Sequence, residues 1–151
     1  MRDITYRVYK IDEHPNKDRC FGWVRNNMYD LGEHEVDDLI NSLVKLRETI
    51  GGRLNYSLSQ VPDRGEYIRF TDYDEEALAE LDEASCPLTG LFCDHDVIEC
   101  LKNNDMRELI SRLHDWCEYH YTDEAIEEHA LFNDWEFTIE GRLIWAKKYT
   151  Q

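Results

Sequence analysis

Between Asp72 and Glu140 the chain sets 21 acidic side chains against three basic ones, Lys102, Arg107 and Arg112. A net charge of −18 over 69 residues repels itself and costs folding stability. The fold is expected to keep most of those carboxylates in water, because an unpaired buried charge is expensive. The spacing agrees, since the acids fall mainly off the apolar stripes. The flanks are different. Residues 1–71 hold 12 acids and 11 bases, residues 141–151 hold three bases and no acid, and the whole 151-residue chain carries −16.

This balance excludes some classes of function. A nucleic-acid binder needs cations to neutralise phosphates, and an anionic membrane surface needs them equally. No apolar run approaches membrane-spanning length. The first residues, Met1 to Arg7, interleave charges with no apolar core, so no secretory signal is expected. Five cysteines, Cys20, Cys86, Cys93, Cys100 and Cys117, form an odd set without a CxxC motif. Reduced thiols in a cytoplasm fit that pattern better than a disulfide framework. A chain of this length is expected to fold as one domain, residues 1–151, burying about two-thirds of its unfolded surface.

The surest element is a helix through Val36, Leu39, Ile40, Leu43, Val44 and Ile50, stopped by Gly51-Gly52. Alternation of Ile4, Tyr6 and Val8 predicts a strand over about 3–11. Cys20–Val24 is expected to return as its hairpin partner. Leu54, Tyr56 and Leu58 predict another strand, which turns at Pro62-Asp63-Arg64-Gly65 and pairs with Tyr67–Phe70. After Asp72 the period becomes helical. Short helices are expected around Ala77–Ala84, from Asp96 to Asn103-Asn104, from Asp105 to His120, and from Thr122 to Phe132. Trp135, Phe137 and Ile139 alternate again, and Glu140-Gly141 fits a two-residue turn into a strand over 143–149. The expected class is α+β: a mostly antiparallel sheet of N- and C-terminal hairpins packed on helices, with an acidic helical insert over about 72–132.

Some acids have local duties. Asp-x-x-Glu occurs at Asp30…Glu33, Asp72…Glu75, Asp96…Glu99 and Asp105…Glu108, a pattern suited to capping helix N-termini. Six of the 21 acids are explained this way. Ten of the other fifteen supply a candidate surface for a basic partner: Asp74, Glu76, Glu80, Glu83, Asp115, Glu118, Asp123, Glu124, Glu127 and Glu128. Tyr119 is the aromatic among them that faces outward, whereas Trp116, Trp135 and Phe137 belong to cores. Aromatic anchors inside a charged rim suit tight protein binding.

A second constellation is weaker. Cys93, His95, Cys100, His114, Cys117 and His120 are zinc-ligand types, but their spacing matches no finger or deaminase signature. Cys117 and His120 lie on an apolar helical face. Asp94, His95 and Asp96 beside Cys93 could form an acid/base site, although neighbouring carboxylates blunt a thiol. No nucleophile elbow, phosphate loop, dinucleotide loop or HExxH motif occurs, and neither cofactor nor metal is expected.

In size and charge alone the chain is similar to small acidic anti-restriction and anti-CRISPR proteins of phages and mobile elements, and to immunity proteins of nuclease toxins. That likeness implies a non-enzymatic inhibitor of the nucleic-acid-mimic type. Its carboxylates would replace phosphates in the cationic cleft of a basic nucleic-acid enzyme. The alternative expectation is an enzyme or small-ligand binder, with a Cys/His/Asp site between sheet and insert.

Overall fold

The computed structural model describes residues 7–144. Among the described residues it is α+β, with six α-helices and two small antiparallel sheets. These residues form two compact units. One is Gly32–Glu118, and the other takes the described residues up to Leu31 and from Tyr119 onward.

The Gly32–Glu118 unit is built on the predicted long helix, which follows two elements of the other unit, strand β1 (Tyr9–Lys10) and helix α1 (Lys17–Asn27). This helix, α2, spans Glu33–Ile50 and buries Leu39, Leu43, Leu46 and Ile50 along one face. Each such side chain contributes about 1.5–3 kcal/mol by leaving water. Gly51, at φ +74°, stops the helix, and its N–H donates to the Arg47 carbonyl at 2.8 Å. Gly52 is needed for two reasons. Its φ is +100°, and a Cβ there would lie 2.5 Å from the Thr71 carbonyl oxygen. The predicted hairpin follows, β2 (Arg53–Ser57) pairing antiparallel with β3 (Tyr67–Thr71), and Ile68 and Phe70 point into the core.

Helices α3 (Glu75–Glu80), α4 (Cys93–Lys102) and α5 (Met106–Tyr119) complete this unit, apart from Tyr119 itself. Asp105 caps α5 as expected, accepting from the Glu108 N–H at 3.1 Å. The other capping expectations shift. Asp74, not Asp72, caps α3, its Oδ1 accepting from the Glu76 and Ala77 amides at 3.0 and 3.2 Å. Helix α4 begins at Cys93 rather than Asp96, so Asp96 lies inside its first turn. Gly32 takes the N-cap position of α2, without a side-chain cap from Asp30.

The other unit carries one correction. Cys20–Val24, expected as a strand, lies in α1. Cys20, Phe21 and Val24 are buried at i, i+1 and i+4, while Gly22 and Trp23 are only partly covered. A short apolar run fits a helix or a strand equally well until its flanks are weighed. Here Asp18 in the first turn and Arg25 in the last both suit the helix dipole. The N-terminal hairpin therefore does not form. Strand β1 pairs instead with β4 (Glu136–Phe137), which also pairs with β5 (Leu143–Ile144), both antiparallel.

The β4–β5 turn has three residues rather than two. Thr138 donates its N–H to the Arg142 carbonyl, and Gly141 donates back to Thr138. Gly141 sits at φ +89°, and a Cβ there would lie 2.4 Å from the Arg19 backbone carbon. Helix α6 (Asp123–Phe132) is capped by Thr122, whose hydroxyl accepts from the Ala125 N–H at 3.3 Å. Ile126, Ala130, Trp135 and Phe137 fill this core with Phe21 and Val24. The parts of the expected strands over 3–6 and 145–149 lie outside the described residues. No helix among the described residues is long and apolar enough to cross a membrane.

Candidate partner-binding surface

The acidic residues separate into those occupied by the fold and those left facing solvent. In the Gly32–Glu118 unit the occupied set is large. Asp94 is wholly buried, yet its carboxylate accepts five hydrogen bonds. They come from Ser42 Oγ (2.7 Å), Thr89 Oγ1 (2.7 Å) and the N–H groups of Leu88, Thr89 and Gly90 (2.7–3.0 Å). Burial pushes its pKa up, but the Ser42, Thr89 and backbone donors outweigh that and hold it below the ordinary range. Asp94 thereby ties the 88–90 loop to α2 and α4.

Arg112 gathers three more acids. Its Nη1 meets Asp96 at 2.7 Å, its Nη2 meets Glu99 at 2.7 Å, and its Nε meets Glu108 at 3.2 Å. Hydrogen bonding to Arg112 lowers the Glu99 pKa. Lys102 takes Glu83 at 2.8 Å and the Leu81 carbonyl at 2.7 Å. Of the expected partner-facing residues in this unit, Glu83 is thus paired with Lys102 and Asp74 is a cap. Glu76, Glu80, Asp115 and Glu118 are exposed, without an ion pair among the described residues.

Helix α6, in the other unit, divides its acids by row. Asp123 and Glu127, four apart, pair with α1. Arg25 Nη2 meets Asp123 Oδ1, and Lys17 Nζ meets Glu127 Oε1 at 3.1 Å. Glu124 and Glu128, also four apart, are exposed with no ion pair among the described residues. The same row continues one turn on to Phe132, which is 90% exposed. Leu131 and Tyr119 are exposed beside it. Glu124 first, and then Glu128, raise the Tyr119 phenol pKa, so negative potential reaches its ring. Sequence reasoning missed Phe132 and His129 here. The signal was present in the i, i+4, i+8 row Glu124–Glu128–Phe132.

No family model, curated protein or solved structure matches the chain.

The cysteine and histidine candidates have separate commitments. Cys93 lies buried 3.1 Å from Ser42 Oγ, Cys100 lies in the core, and Cys117 bonds the Gly32 carbonyl at 3.5 Å. Burial pushes the thiols of Cys20, Cys93, Cys100 and Cys117 up to about 11, which leaves them protonated and unreactive at neutral pH. His95 meets Glu99 at 3.1 Å, His114 donates to Glu66 at 2.8 Å, and His120 shares a 2.9 Å ring-to-ring hydrogen bond with His129. Asp94, His95 and Asp96 diverge toward the 88–90 loop, Glu99 and Arg112 respectively. A cleft of about 650 Å³ between Tyr73, Leu78, Leu101 and Lys102 takes in none of these candidates.

Proposed function

We propose that the protein is a small acidic binding protein that occludes the cationic cleft of a basic, nucleic-acid-processing partner. The observation that carries this reading is the unpaired row on α6. Two exposed carboxylates one turn apart run into an exposed aromatic, with Tyr119 alongside. Carboxylates of this kind offer a phosphate-binding cleft the charge it is built to hold, and they steer association over a Debye length. The exposed aromatics supply apolar area that slows dissociation. The Cys/His/Asp site reading loses support, because its members are buried, paired or turned apart.

Tagged protein is used to capture partners from a bacterial lysate, with washes at low and high salt and in the presence of excess duplex DNA. The reading expects a basic nucleic-acid enzyme that is retained at low salt and displaced by either treatment. A partner insensitive to both salt and duplex contradicts it.

A further inference from the structure

The α6 row borders a small cleft of about 300 Å³ lined by Tyr119, His120, Ala125, Glu128, His129 and Phe132. Four of those six side chains are rings. His120 and His129 are tied ring to ring at 2.9 Å, which requires one of the two facing nitrogens to be an unprotonated acceptor. His129 in turn stacks on Trp135, with ring centroids 6.4 Å apart and planes 17° apart. The back of the cleft is therefore held by the packed core and its rim is exposed. Glu128 supplies the one carboxylate of the lining, and Glu124 stands one turn away on the same face.

We infer that this cleft seats an arginine side chain presented by the partner. The inference rests on the reading of the protein as a binder of a basic partner and assigns the contact. Guanidinium is planar, weakly hydrated and stacks on aromatic faces, while its N–H fork matches a carboxylate. Ring walls with a single carboxylate at the rim meet both requirements. An anion would be repelled by Glu124 and Glu128. A purely apolar side chain would strip water from Glu128 and return no hydrogen bond. A lysine would gain the charge contact without the stacking. The raised Tyr119 phenol pKa is the electrostatic counterpart of the same arrangement.

The probe is N-acetyl-arginine amide, titrated into the full chain and followed by backbone amide NMR. N-acetyl-lysine amide and N-acetyl-norleucine amide serve as comparisons. Saturable shifts centred on Glu128, His129 and Phe132, strongest with arginine and absent with norleucine, are expected. Phe132→Ala and Glu128→Gln should each weaken the arginine response by about fivefold. Both positions are exposed, so the variants keep the fold. Equal binding of norleucine, or no saturable response to arginine, overturns the assignment. The two readings fail separately. Loss of partner capture on reversing Glu124 and Glu128 without arginine binding sinks the cleft alone. Arginine binding with partner capture unaffected sinks the partner reading alone.

Discussion

Helices α4 and α6 carry similar acid and use it in opposite ways. On α4, Asp94 is sealed into five hydrogen bonds, and Asp96 and Glu99 are clamped by Arg112. On α6, half of the carboxylates pair with Lys17 and Arg25, and the other half face solvent beside Phe132. A count of charges makes the two helices look alike. The positions of the few cations, and the neutral donors gathered around Asp94, tell them apart. Lys102 and Arg112 in the Gly32–Glu118 unit, and Lys17 and Arg25 on α1, mark acid the fold has already used, and the remaining acid is what the proposed partner would meet.

The comparison breaks most easily at Asp94. Asp94→Asn places an amide NH₂ among N–H donors, so it should destabilise the protein by about 3 kcal/mol in chemical denaturation. A cost under about 0.5 kcal/mol would show that the carboxylate is not structural. The pH dependence has a definite sign. The folded-state pKa of Asp94 is depressed, so its stabilisation is complete above the ordinary carboxylate range and is lost as pH falls through the folded value. Denaturation midpoints should fall on acidification in the natural protein, and Asp94→Asn should flatten that dependence.

Arg112→Ala comes next. It leaves Asp96, Glu99 and Glu108 facing one another and should cost about 2 kcal/mol. A neutral result would mean that the three-acid clamp is ornamental. Smaller again is the contrast within α6. Asp123→Lys with Glu127→Lys turns two interhelical attractions into repulsions and should cost about 1 kcal/mol. Glu124→Lys with Glu128→Lys should stay within about 0.5 kcal/mol of the natural stability. Equal losses would erase the distinction between the two rows. The smallest effect concerns the thiols. In the native protein only Cys86, which is half-buried, should react promptly with a thiol reagent, and the other four should react on unfolding. A fast buried thiol would revive the nucleophile reading.

Elements with long, uninterrupted periodicity were legible in the sequence. The stripe of α2 and its double-glycine stop, the β2–β3 alternation, and the caps Asp105 and Thr122 all follow from local rules that tertiary packing did not override. Cys20–Val24 misled because five apolar residues are too few to separate a period of 3.6 from one of 2. The duty of Asp94 was illegible because its partners, Ser42 and the 88–90 amides, depend on how α2 packs on α4. The same holds for the candidate surface. Helical spacing showed which acids face outward, but the division of α6 into paired and unpaired rows required knowing that Lys17 and Arg25 lie on a helix.

The most direct test compares capture of the proposed basic partner by the natural protein, by Glu124→Lys/Glu128→Lys and by Asp115→Lys/Glu118→Lys at fixed low salt. All four positions are exposed, so all three proteins should keep their fold. The account predicts that capture collapses for the α6 pair and declines by a smaller factor for the α5 pair. Capture that survives reversal of Glu124 and Glu128 would contradict the assignment of the unpaired α6 row as the binding surface.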